Sequence, residues 1–143
     1  MTRAASTSAA ALSPRERRWA EALFAAILGP LEDHGLPAFA SIDLASFYEA
    51  IDRAPGPMFA PGLRAMVAAL TFWPLTHPRF RRPFHALDAR ARLDCVEAMA
   101  ASEAYVTRQM LTTLKMLACF AYFENAAVRA RSRATLDAPG GAR

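Results

Sequence analysis

The 143-residue sequence contains only two cysteines, Cys95 and Cys119. Small secreted domains that depend on disulfides are rich in cysteine, so this chain is not a disulfide scaffold. Each of the two thiols lies in a predicted helix among apolar neighbours, where cysteine behaves as a small hydrophobic residue. We therefore predict that both cysteines are reduced and lie in the core.

Glycine is also scarce, and the six glycines lie in Pro-Gly turns and near the C terminus, so none forms a loop that could cradle a phosphate. No Gly-x-Ser-x-Gly motif supplies a nucleophilic serine. The histidines His34, His77 and His85 lack the spacing of metal ligands on a helix. We predict no catalytic residue, no metal site and no cofactor site in this chain. A small enzyme that uses Cys95 or a histidine is the alternative.

Lysine is nearly absent, since Lys115 is the only lysine among the 17 basic residues. Together with 13 acidic residues, these give a net charge of +4. The arginines are dispersed along the chain, with small groups at 15–18, 79–82 and 129–133. A nucleic-acid-binding protein gathers its cations on one face instead. We therefore expect no nucleic-acid partner.

No apolar run reaches the ~20 residues that a transmembrane helix needs, so we expect no membrane span. Arg17-Arg18 precedes an apolar stretch, as in a twin-arginine export signal, but Glu21 interrupts that stretch and no cleavage site follows. A core helix explains these residues better. The sequence predicts a cytoplasmic protein, and export together with a signal-bearing partner is the alternative.

Strand signals are missing as well, because β-branched residues are few and never alternate over the length of a strand. The sequence predicts an all-α fold, a single-domain bundle of about five main helices. Ser13-Pro14-Arg15-Glu16 announces the first helix, since Ser13 and Glu16 can cap each other's amides. Gly29-Pro30 ends this helix.

Similar signals place the other elements. We predict a second helix from Ser41 or Asp43, a third from about Pro61, a fourth capped by Asp88, a fifth from near Ser102 to about Phe123, and one or two further turns after Asn125. Residues 1–11 are predicted to form a disordered tail, residues 12–131 the helical domain, and residues 132–143 a flexible C-terminal tail.

Two segments carry more apolar and aromatic side chains than one core of this size needs. The first surrounds Trp73 and leads into the arginine-rich turn Arg79–Arg82; its rings either fill the space between helices or dock a partner. The second is the helix that ends near Phe123, which is either central in the bundle or covered on its outer side by another chain. The predicted partner-binding residues are Trp73, Phe80, Arg81, Arg82, Phe84, Met110, Phe120 and Phe123.

Several short patterns follow one another in an order that resembles a known family. They are Leu12–Arg17, Arg79-Phe80 with Phe84 and Leu87, Arg92-Leu93, Ser102, Leu114–Leu117, Ala121–Phe123 and Val128-Arg129. Together they resemble the small helical subunits typified by the third subunit of gluconate 2-dehydrogenase, which accompany flavin oxidoreductases of the glucose–methanol–choline type. The resemblance covers most of the chain and consists of helix patterns, not of catalytic signatures.

This resemblance implies a non-catalytic accessory subunit that binds and stabilises a larger flavoprotein acting on an alcohol, a sugar or a steroid. It places FAD in that partner and implies a hetero-oligomer. Two positions depart from the family pattern: Ala126 follows Asn125 where many relatives have proline, and Ser132-Arg133-Ala134 stands where they end in Gly-Tyr. The alternative is an independent helical protein-binding module, a regulator or an adaptor, with no flavoprotein partner.

Overall fold

The computed structural model describes residues 10–138, and all regular structure in this range is helical, without a strand. The α-helices are α1 (Pro14–Leu28), α2 (Ala45–Asp52), α3 (Phe59–Phe72), α4 (Ala89–Ala100), α5 (Tyr105–Phe123) and α6 (Ala126–Asp137). Short 3₁₀ turns lie at Leu31–His34, Phe39–Ser41, Trp73–Thr76 and Phe84–Ala86. The predicted all-α bundle is confirmed, with six helices in place of about five.

The first helix starts where its sequence predicts, at a complete capping box. The Ser13 hydroxyl accepts a hydrogen bond from the Glu16 amide at 3.2 Å, and the Glu16 carboxylate accepts one from the Ser13 amide at 2.7 Å. Pro14 occupies the first helical position, where its missing amide proton costs nothing. The bond from the Ser13 amide is the main reason that the pKa of Glu16 is lowered, and Arg64 contributes further.

α1 is the central helix, since it packs against α3, α4 and α5. Its inward residues Ala20, Leu23 and Phe24 are almost completely excluded from solvent, which confirms the predicted core helix. On its outer side, Arg17 pairs with Asp52 at 3.2 Å and lies 4.4 Å from the centre of a tyrosine ring in α2. Other large enclosed side chains include Leu12, Val67, Leu70, Phe84, Met99, Leu114, Tyr122 and Val128.

The ordered fold begins earlier than the predicted boundary at residue 12. Ala11 is only 3% exposed, and its amide donates a hydrogen bond to the Asp52 carboxylate at 2.8 Å. The prediction of a tail over residues 1–11 is therefore wrong for Ala11, because a contact with α2 that is distant in sequence holds this residue. Residues 1–9, on which most of that prediction falls, lie outside the described part of the chain.

The predicted C-terminal boundary at residue 131 is also wrong. Asn125 caps α6 as expected, with its side-chain oxygen accepting from the amides of Ala127 and Val128, but the helix continues to Asp137. Between these residues no glycine or proline interrupts the helix, and the first breaker is Pro139, which disfavours the helical conformation of the residue before it. The last residues, 139–143, lie outside the described part.

The other helices begin within a few residues of the predicted positions. Asp88 caps α4 as predicted, accepting a hydrogen bond from the Ala91 amide at 2.8 Å. Ser102 does not cap α5, because its hydroxyl accepts from the Ala104 amide at 3.2 Å and the helix starts only at Tyr105. Local side-chain chemistry thus fixes the caps, while the first helical turn varies with the path of the preceding loop.

Replacing Ser13 with alanine should lower the free energy of unfolding by about 0.5–2 kcal/mol, because one half of the capping box is lost. Ser46→Ala is the matched control, since Ser46 is exposed within α2 and does not cap a helix. Chemical denaturation monitored by circular dichroism measures both changes. Equal stability of the Ser13→Ala and Ser46→Ala variants would contradict the prediction.

Thr71→Val should raise the free energy of unfolding by about 1 kcal/mol, since Thr71 is fully buried and its hydroxyl has no hydrogen-bond partner. Valine has nearly the same shape and removes the unsatisfied group. Thr113→Val serves as the control, because the exposed Thr113 hydroxyl already donates to the Gln109 carbonyl at 2.9 Å. A lower melting temperature for Thr71→Val than for the unmodified chain would overturn this expectation.

Candidate protein-interaction surface

α5 is apolar on two sides of the helix. Its inner side, which faces α1, buries Leu111, Leu114, Ala118, Ala121 and Tyr122. The outer side carries Met116, Phe120 and Phe123, which are all exposed; Phe120 is 64% exposed. We call these three residues the α5 ridge. α5 packs against α1, α3, α4 and α6, which agrees with the first interpretation left open by the sequence. Its outer side is exposed, and a second chain that covers this side stays a prediction.

Two hollows flank Phe120. The first has a volume of about 510 Å³ and lies between α2, the start of α3 and α5; it is lined by Phe47, Ala50, Ile51, Ala54, Phe59, Leu117, Phe120, Phe123 and Glu124. The second, of about 470 Å³, runs along α5 and is lined by Thr112, Lys115, Met116, Cys119, Phe120 and Phe123. One exposed ring between two apolar hollows gives a surface that partner side chains can interdigitate with.

Charged groups occur only at the edges of these hollows. Glu124 is the single charged residue that lines the first hollow, and Lys115 is the single one that lines the second. Met58 and Phe59, at the start of α3, are exposed and extend the apolar area beyond α5. An apolar centre with a polar edge is the usual composition of a protein-binding patch.

For two of the predicted partner-binding residues, Phe80 and Phe84, the prediction of a direct contact with a partner is wrong. Phe84 is only 1% exposed and Phe80 is 9% exposed, so both rings belong to the core. Phe84 lies in the 3₁₀ turn that packs against α1 and α3, and a partner cannot reach its ring there. Their rings fill the space between helices, which was the alternative that the sequence left open.

The remaining predicted residues divide into two separate groups. Phe120 and Phe123 belong to the α5 ridge, while Met110 is half-buried against the core. Arg81 and Arg82 are exposed in the turn after α3, and Trp73 is half-buried and stacks on the His77 ring at 5.4 Å.

The two groups lie near opposite ends of α3. Phe59, the first residue of α3, lies beside Phe120, whereas Trp73 directly follows the last residue of that helix. A 14-residue helix has a length of about 20 Å. The residues predicted to bind a partner therefore lie on two surfaces, one near each end of α3.

Sequence reasoning missed Met58 and Phe59 as surface residues. Both follow the Pro55-Gly56-Pro57 break, a position from which a helix commonly begins with polar residues. The signal in the sequence was this apolar pair, which stands at a helix start where polar residues are usual. The packing of α3 on α1 decides on which side of the bundle these residues lie. A local sequence pattern does not predict that packing.

The two cysteines differ in accessibility. Cys95 lies fully buried in α4, and burial raises the pKa of its thiol to about 12. This confirms Cys95 as a core residue, and a protonated, enclosed thiol is a poor nucleophile. Cys119 is half-buried and lines the second hollow on the α5 ridge, so the prediction of a core position is only partly right for this residue.

Two of the three histidines, His77 and His85, take part in aromatic packing. His77 lies between the rings of Trp73 and Phe80, and His85 stacks on Trp19 at a centroid distance of 5.8 Å. Within residues 10–138, no group of three His, Cys, Asp or Glu side chains is arranged to hold a metal ion. No helix in the same range combines the length and the apolar character that a membrane crossing requires.

Comparisons with known proteins add no family to these observations: the chain matches no protein-family model, no curated protein and no solved structure. Function is therefore inferred from the two exposed surfaces and from the sequence patterns.

The difference between the cysteines predicts the outcome of a thiol titration. In the native chain, Ellman's reagent should modify Cys119 quickly and leave Cys95 unmodified, because only Cys119 reaches solvent. After unfolding in guanidinium, both thiols should react. Cys119→Ser should abolish the fast phase, and Cys95→Ser should leave it unchanged; rapid reaction of Cys95 in the folded chain would refute the expected burial.

Proposed function

We propose that this chain is a non-catalytic accessory subunit that binds and stabilises a larger flavin-dependent oxidoreductase of the glucose–methanol–choline type. The observation that carries the proposal is the α5 ridge, an exposed apolar surface on a helix whose other side already fills the core. The partner holds the FAD and acts on an alcohol, a sugar or a steroid. The complex is a hetero-oligomer of the two chains.

The energetics of the α5 ridge support a protein partner. Burying a phenylalanine or methionine side chain contributes about 1.5–3 kcal/mol relative to leaving it in water. Phe120 and Phe123 stand beside hollows that a partner's side chains can fill, and central aromatic residues of this kind dominate the binding energy of protein interfaces. A partner that covers the ridge would therefore stabilise the folded subunit.

The sequence patterns that resemble the accessory-subunit family lie largely in the framework of the fold. Leu12, Phe84 and Leu114 are buried, and Ser13 caps α1. Met116 and Phe123 of the α5 ridge also belong to these patterns. The resemblance therefore includes part of the exposed surface that we assign to the partner contact.

We assign the flavin to the partner, as the family resemblance implies. Dinucleotide-binding folds hold the pyrophosphate at the end of a parallel strand, beside the start of the following helix. Residues 10–138 form helices and turns only. The chain's own contribution is the surface that it offers to the flavoprotein.

Co-expression with a glucose–methanol–choline-type flavoprotein from the same genome tests the proposal. The tagged chain should retain that flavoprotein in a fixed ratio, and the complex should show the visible absorbance of bound flavin. The chain purified by itself should be colourless. A colourless, partner-free preparation from the co-expressing cells would favour the independent binding module instead.

Phe120→Gln should reduce the amount of co-purifying flavoprotein at least several-fold, because it removes the central ring of the ridge. Its effect on the melting temperature should be small, since the ring is mostly exposed. Tyr105→Gln is the matched control: Tyr105 is an equally exposed aromatic residue, 64%, in the first turn of the same helix. Equal retention of the flavoprotein by both variants would place the contact elsewhere.

A further inference from the structure

The turn Arg79–Arg82, here called the arginine turn, contains two guanidinium groups without a partner. Arg79 pairs with Asp94 at 2.9 Å, and Arg90 lies 3.6 Å from the same carboxylate. For Arg81 and Arg82, no carboxylate or carbonyl oxygen among residues 10–138 accepts a hydrogen bond from the side chain. Both side chains are exposed.

Buried rings on both sides hold the arginine turn in place. Phe80 and Phe84 enter the core, which forces the three residues between them to the surface. The Arg81 amide donates a hydrogen bond to the Pro74 carbonyl at 3.2 Å, and Pro74 is itself buried. The two guanidinium groups therefore project from a backbone that packing and hydrogen bonding fix.

Arg81 adopts a backbone conformation that arginine seldom takes. Its φ angle is 53°, and among residues 10–138 it is the one residue other than glycine with a positive φ. The left-handed region strains the backbone of a residue with a Cβ atom, and glycine occupies it without that strain. Residues with a strained backbone are concentrated at binding sites. There the side chain can contact a partner, which glycine cannot do because it has no side chain.

Two exposed apolar residues shortly precede the arginine turn in the sequence. Leu75, which directly follows Pro74, is exposed, and so is Phe72 at the end of α3. Arginine beside exposed apolar residues is typical of protein interfaces, because a guanidinium group is weakly hydrated and tolerates burial better than an ammonium group. The surface thus combines two unpaired planar cations with an apolar area.

We propose that the arginine turn binds an acidic protein segment, in which neighbouring carboxylates accept forked hydrogen bonds from Arg81 and Arg82 while an apolar side chain covers Leu75. This inference deepens the proposed function, since it assigns the segment to the larger subunit and makes the arginine turn a second contact beside the α5 ridge. The positive charges of Arg81 and Arg82 favour carboxylates as ligands. A planar guanidinium group can also donate two parallel hydrogen bonds to the two oxygens of one carboxylate.

A protein segment fits this surface better than a nucleic acid does. Binding a phosphate backbone requires a row of cations that follows the strand, with aromatic faces on which bases stack. Here a carboxylate already lies among the cations, since Asp94 pairs with Arg79 at 2.9 Å and with Arg90 at 3.6 Å, and the Trp73 ring stacks on His77. Arg81 and Arg82, which make no ion pair among residues 10–138, closely follow the aliphatic Leu75 in the sequence.

Titration of the isotope-labelled full chain with short peptides, monitored by NMR, tests the chemistry directly. A peptide with adjacent glutamates between leucines should shift the resonances of Leu75, Arg81 and Arg82, and should bind at least about tenfold more tightly than the same peptide with lysines in place of the glutamates. The absence of localised shifts, or equal binding of the two peptides, would overturn the proposal. So would tighter binding of an oligothymidylate at these residues, since that outcome identifies a nucleic-acid surface.

Two variants separate recognition from folding. Arg81→Gly should leave the melting temperature unchanged or raise it, because the left-handed backbone suits glycine, and should weaken glutamate-peptide binding about tenfold. Arg133→Gln is the control: this exposed α6 arginine also forms no ion pair with a carboxylate among residues 10–138, and its loss should leave peptide binding unchanged. A lower melting temperature with unchanged peptide binding in Arg81→Gly would show a structural role and refute the inference.

The two proposals fail in different ways. If the chain retains its flavoprotein and an Arg81→Glu, Arg82→Glu variant retains it equally, the arginine turn is not the second contact, whereas the accessory function stands. If the chain retains no flavoprotein but binds the glutamate peptide at the arginine turn, the carboxylate specificity stands and the assignment to a flavoprotein fails.

Discussion

Burial of α1 on three sides is the constraint on which the rest of this structure depends. Ala20, Leu23 and Phe24 can leave water only if α3, α4 and α5 surround the helix. The capping box at Ser13 fixes where α1 begins and therefore which residues form that stripe. Within residues 10–138, no other element covers Met116, Phe120 and Phe123 on the outer side of α5.

The exposed side of α5 is thus a consequence of the bundle's size. Six short helices enclose one core, and α6 buries only Val128, so it leaves the α5 ridge uncovered. An apolar face of this kind, which residues 10–138 leave uncovered, is a common origin of obligate association, because a second chain supplies the missing layer. The accessory function that we propose gives this face its partner.

The arginine turn follows from the same packing at the other end of α3. Phe80 and Phe84 are buried, and the turn that contains Phe84 packs against α1 and α3. The residues between the two rings therefore lie at the surface. The two surfaces lie near opposite ends of α3, which is about 20 Å long. A chain that contacts both must span the bundle, which suits a larger subunit better than a short peptide.

The sequence by itself determined the helical class and the caps at Ser13, Asp88 and Asn125, because these depend on side chains within three residues of the amides they bind. It also located the apolar surplus near Phe123. Only the tertiary structure decided that Phe84 points inward and Phe120 outward, since the same residue type suits either environment. The direction of each ring is set by which helix lies beside it, and that depends on contacts between residues distant in sequence.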